Sequence, residues 1–140
     1  MSDVADVRRA LLDVLDGDAT LIGLVPEGAF LNVSPAGITK AVIVSQIIAE
    51  DHYAMRSTAY QRFLFLVKAV ERSTSPDGVD AAAARIQALL HAQALTITGY
   101  KHMVTLREEP ISYTEVDDDD ADERWQHAGG RYEIFATPNT

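Results

Sequence analysis

Residues capable of chemistry are plentiful in this sequence, but they do not fall into chemical patterns. The four histidines are His52, His91, His102 and His127. None stands three or four positions from another, the spacing that puts two imidazoles on one side of a metal. They read as scattered surface or hairpin histidines. There is no phosphate-cradling loop that closes on Gly-Lys-Ser/Thr, no Gly-x-Gly-x-x-Gly and no Gly-x-Ser-x-Gly elbow. With no cysteine, disulfides, thiolate metal sites and cysteine nucleophiles are excluded. The expectation is a protein that is not an enzyme and needs no cofactor or metal.

One local feature is unusual. From Glu108 to Glu123 there are nine acids and no Lys or Arg. Its densest part is Asp117, Asp118, Asp119, Asp120 and Asp122. An EF-hand reading is disfavoured, because the alternating ligands, central glycine and closing glutamate are missing. A solvated hairpin tip is the simplest reading. Loose attraction of divalent ions is a second. A third is a functional negative surface, which becomes strong only where several copies gather the run around one axis. Trp125 follows at once and is either a core plug or an interface anchor.

The elements that would position these residues are legible from apolar spacing. Val4, Val7, Leu11, Val14 and Leu15 form a helical stripe over Asp3–Asp16, stopped by Gly17. A short piece, Ala19–Val25, ends at Pro26 and Gly28. Strands are predicted at Ala29–Val33, at the β-branched Ala41–Ala49 and at Tyr60–Glu71. The last is apolar on both faces and should be central, under helices on one side. The polar stretch Glu50–Thr58 reads as a hairpin connection. Val79, Ala82, Ala83, Ile86, Leu89 and Leu90 form a second helical stripe, over Val79–Ala92. Leu95–Thr98 reads as a short strand. Met103–Arg107 and Ile111–Val116 read as one strand broken or bulged at Pro110. Gly129-Gly130 read as a bend before a closing strand, Arg131–Thr137. Together these predict one α+β domain over residues 1–140, a mostly antiparallel sheet with two main helices packed on one face. Its core should include Val7, Leu11, Val14, Phe63, Phe65, Val67, Ile86, Leu89 and Ile134.

Charge narrows the partners. Acids outnumber bases 21 to 12 in 140 residues, a formal net charge of −9. Gripping DNA through its phosphates takes a surplus of Lys and Arg that this chain lacks. The most apolar stretch, Phe63–Val70, is interrupted by Lys68 and is too short to span a membrane. The opening, with Asp3 and Asp6, does not read as a signal peptide.

The order and spacing of the elements resemble the tail-completion or tail-terminator (neck) proteins of long-tailed bacteriophages. The likeness lies in the opening from Ala10 to Pro26, the strand Ala41–Val44, the strand Phe63–Val70 with the helix Ala81–Leu90 after it, and the closing Arg131–Ala136. The family often has proline where this chain has Ala41. The resemblance implies a ring of copies, commonly hexameric, that caps the tail tube. Its partners would be itself, the major tail tube protein and the head connector or head-completion protein. DNA would pass nearby without specific binding. The protein would sit in the virion neck, and in the host cytoplasm before assembly. Contact between copies is expected through strand edges and the Glu50–Thr58 excursion, including Asp51, His52, Tyr53, Met55 and Arg56, with Trp125 a further candidate. The competing reading from another class is a monomeric or dimeric bacterial α+β adaptor without catalysis.

Overall fold

The structure, a computed structural model, describes residues 4–55, 57–116 and 123–139. Arg56 and the aspartates Asp117, Asp118, Asp119, Asp120 and Asp122 lie outside the described residues.

Among the described residues three helices, α1 (Val4–Asp16), α2 (Ala19–Leu24) and α3 (Asp77–Leu90), accompany five strands. These are β1 (Ala29–Leu31), β2 (Lys40–Ala54), β3 (Ser57–Arg72), β4 (Tyr100–Val116) and β5 (Arg124–Pro138). They form one sheet in the order β1-β2-β3-β5-β4. Among the described residues the β1–β2 pairing is parallel and β2–β3, β3–β5 and β4–β5 are antiparallel. The fold is α+β, and the strand expected to be central is central.

Alternation sorts the sheet into two faces. Val42 and Val44, Phe63, Phe65, Val67 and Ala69, and Tyr132, Ile134 and Ala136 point to the helices and are fully or almost fully buried. From α1 the stripe Val7, Leu11 and Leu15 closes on them, and from α3 the stripe Val79, Ala82, Ile86 and Leu90. Of the expected core, Val14 and Leu89 sit at the rim, only partly buried against the cluster. Asp18 ties the helical layer together. Its carboxylate accepts from the Leu21 amide at 2.8 Å, capping α2, and from Arg85 of α3 at 2.8 and 2.7 Å. The Arg85 guanidinium, then the Leu21 amide, hold that carboxyl down at about 2.

Four local expectations are corrected. Most of Glu50–Thr58 is not a connection but strand: β2 runs to Ala54 and β3 starts at Ser57. Polar residues form strand here because each finds a partner across the ladder, as His52 does opposite Tyr60. Leu95–Thr98 is no strand; Leu95 and Ile97 are buried plugs of an irregular segment. Of the two readings at Pro110 the break is not found, since β4 passes through it; the bulge is, shifted just ahead of the proline to between Arg107 and Glu109. Proline is tolerated because β4 is an edge strand, where a missing N–H faces away from the ladder. Gly129 and Gly130 form no bend but lie inside β5. A Cβ on Gly129 would stand 2.2 Å from the Val67 carbonyl oxygen, and one on Gly130 3.0 Å from that of Glu109. Close approach of three backbones, not a turn, requires glycine here.

Candidate functional site

The β2–β3 hairpin outgrows the sheet. β5 pairs with β3 only as far as Gln61↔Ala136, and β1 covers β2 only from Val42 to Val44. Beyond both points His52–Ala54 and Ser57–Tyr60 form a two-stranded arm with no outer partner among the described residues, while from Ser45 to Asp51 β2 is an edge whose partner β3 still pairs with β5. An isolated hairpin is marginal in water, so cross-strand contacts must brace this one. Arg62 donates to Glu50 at 2.8 Å and to Glu133 of β5 at 3.1 Å. Glu133 first, and then Glu50, raise the guanidinium pKa above its ordinary value. His52 stacks on Tyr60 with centroids 4.5 Å apart, and Tyr60 leans on Phe135 at 6.1 Å. Gln61 donates to Asp51, and Tyr100 donates to Gln61.

The sequence-derived interface candidates separate accordingly. Asp51 and His52 are spent on bracing the arm. Tyr53 and Met55 are presented outward: Tyr53 is 70% exposed and Met55, at the turn with φ 59°, is fully exposed. Ile47 and Ile48 are exposed on β2 below the arm. Trp125 is not on the arm. It lies half-buried near the opposite end of the sheet, between Arg72 and Glu115 in the ladder. The structure therefore does not bring Trp125 together with the other candidates. Of the acidic run, Asp117, Asp118, Asp119, Asp120 and Asp122 lie outside the described residues; the described Val116 pairs with Arg124 at the end of the sheet opposite the arm. Glu123 accepts from Arg72 at 2.8 Å.

Sequence reasoning missed a cluster on the uncovered sheet face. His127 stacks on Tyr113 with centroids 4.2 Å apart, and Lys68 donates to the Tyr113 hydroxyl at 2.8 Å. Glu115 Oε1 lies 3.6 Å from His127 Nε2, beyond hydrogen-bond reach, and neither ring nitrogen has a hydrogen-bond partner among the described residues. Burial, then the Lys68 charge, lower the His127 pKa; Glu115 opposes them. The cluster borders an open cleft of about 310 Å³ floored by Ile43 and Val70 and walled by Asn32, Val33 and Ser34. Only the register of three strands assembles it, so no linear spacing announces it. A second cleft of about 310 Å³ lies between α1 and β1, lined by Ala5, Arg8, Arg9, Leu12 and Leu31. Here the signal was present in the sequence: positions 5, 8, 9 and 12 share one helix face.

Among the described residues no group of three or more His, Asp or Glu side chains is placed to hold a metal ion. No described helix is long and apolar enough to cross a membrane. What the arrangement offers is surface: an arm ending in exposed Tyr53 and Met55, two sheet edges that are open in part among the described residues, and shallow clefts.

No protein-family model matches the chain, and no curated protein matches its sequence. Among solved structures, the chain is similar to one from the virion of a native gene transfer agent particle. The identity is 18%, the match covers 91% of this chain and 92% of that chain, and the TM-score is 0.67. At that identity the likeness shows a shared fold, over nearly the whole length of both chains.

Proposed function

We propose that this protein is a structural component of a phage-type virion, a hexameric ring that caps the tail tube and joins it to the head connector. The observation that carries the reading is the whole-length fold likeness to a chain of a gene transfer agent virion, TM-score 0.67. Two features of the molecule support it. The arm ends in Tyr53 and Met55, large side chains that are mostly and fully exposed. Exposed apolar groups at the end of a braced projection suit a protein contact. The net charge of −9 suits a wall that DNA slides past. On this reading the partners are further copies of the chain, the major tail tube protein and the head-completion protein. The aspartates Asp117, Asp118, Asp119, Asp120 and Asp122 of each copy line the passage. The protein resides in the virion neck, and in the host cytoplasm before assembly.

Electron micrographs of the purified protein test the ring directly. Rings are expected, and deletion of Asp51–Arg56 should abolish them while circular dichroism shows an unchanged fold. A protein that stays monomeric or dimeric at all concentrations would instead be an adaptor, and the ring reading would be lost.

A further inference from the structure

The sheet has two edges, β1 and β4, and they match. On β4 the outer edge is closed as far as Arg107: the Ala92 amide donates to the Thr105 carbonyl at 2.7 Å, and the Arg107 amide to His91 Nδ1 at 3.0 Å. From Glu108 to Val116 no strand among the described residues covers it. On β1, Gly28 and Asn32 bond to β2, so alternation turns the backbone of Ala29 and Leu31 outward. The Ala29 amide is taken by Asp16 at 2.9 Å. That leaves the Leu31 N–H and the Ala29 carbonyl facing out, beside the α1 cleft.

Height and direction agree as well. The ladder puts Ala29, Val42, Ala69, Ala128 and Ser112 in one row, and Leu31, Val44, Val67, Gly130 and Pro110 in another. The open half of β4 is therefore level with β1. Following the strand senses across the sheet, β4 runs opposite to β1. A second copy set alongside with its sheet in line would bring β4 against β1 as an antiparallel neighbour.

Charge agrees too. Among the described residues Arg8 of the cleft has no acidic partner, and Arg9 has only a 3.5 Å pair with Asp6 while remaining largely exposed. Glu108 is exposed at the register shift of β4 and has no basic partner among the described residues. In a chain with a net charge of −9, a cleft offering two arginines beside Leu12 and Leu31 is the complement of the chain's own acidic edge.

We propose that the cleft between α1 and β1 is the docking site for the open, acidic half of β4 of a second copy, with Arg8 set against Glu108. This rests on the ring reading and names its two different patches, which head-to-tail closure requires. Few backbone bonds are available at so short an edge, so the side chains must supply most of the selectivity.

The test is a charge swap on the full chain, followed by analytical ultracentrifugation at low salt. Both residues are at least partly exposed, so Arg8→Glu and Glu108→Arg should fold. Each alone should weaken self-association at least about tenfold, because like charges would then meet across the contact. The double variant, which carries both swaps in every copy, should assemble like the parent. Parent rings with undisturbed single variants would overturn the docking site and leave the ring intact. Weakened single variants without recovery in the double would show that the two charges do not meet, and would also overturn it. A parent that never assembles defeats the ring reading itself, and this inference with it.

Discussion

The two faces of the sheet solve different problems with the same five strands. Under α1 and α3 the side chains are aliphatic or aromatic and interlock into one dry cluster. Across the sheet the contacts are pairwise and polar: Arg62 between Glu50 and Glu133, Arg131 with Glu109, His127 on Tyr113, His52 on Tyr60. The covered face makes the fold stable, since burial outweighs anything an exposed ion pair returns. The uncovered face keeps strands in register and leaves surface for partners. Leu64 shows that the division is not simply apolar against polar. It lies on the uncovered face yet is 1% exposed.

The sharpest way to break this comparison is to cut the same strand on its two sides. Phe65→Ala opens a cavity under the helices and should cost about 3–5 kcal/mol. Leu66→Ala, one residue along and on the other face, should cost clearly less. Equal losses in urea titrations would mean the uncovered face is as tightly packed as the covered one.

Gly129→Ala should come next, at about 1–3 kcal/mol, the usual cost of forcing atoms into a packed site. Its Cβ meets the Val67 carbonyl, and backbone cannot swing aside as a side chain does. A neutral result in thermal unfolding would refute the close three-strand approach.

His127 sharpens the comparison through pH. Its native pKa is lowered by burial and Lys68, with Glu115 opposing and Tyr113 stacked on one ring face. Below the ordinary value of 6.5 the unfolded chain takes up a proton that the folded one resists, so stability falls as pH drops through that range. Above it, the residue contributes no slope. His102, also lowered by burial, adds to the same window. Melting curves at pH 7.5 and at pH 5 should therefore differ less for His127→Gln than for the parent. An identical difference would rule His127 out as a source.

The smallest effect belongs to Tyr132→Phe. The Tyr132 hydroxyl is buried with no hydrogen-bond partner among the described residues, and burial pushes its pKa up to about 12. Removing an unsatisfied group should leave stability unchanged or slightly raised. A loss above about 1 kcal/mol would point to a hydrogen bond the described residues do not show.

What failed to read from the sequence failed for one reason. Both helices and the central strand carry their signal in one local period, so Val7, Leu11, Ile86 and Phe65 announced their places. Glu50, Asp51 and His52 form strand because of what lies across the ladder, and Gly129 is glycine because of Val67, a residue distant in the chain. Local polarity made one look like a connection and the other like a bend. Among the interface candidates, Tyr53 and Met55 are exposed, while Asp51 and His52 make cross-strand contacts with Gln61 and Tyr60.

By itself, then, the sequence determined the class of fold, the helix faces, the acidic balance and the absence of any linear catalytic motif, because each is a property of neighbours along the chain. Tertiary structure alone decided where β2 and β3 end, how His127 meets Tyr113 and Lys68, and that β1 and the open half of β4 stand level at opposite edges of one sheet. Those facts depend on register, and register is set by which distant side chains must share the buried face.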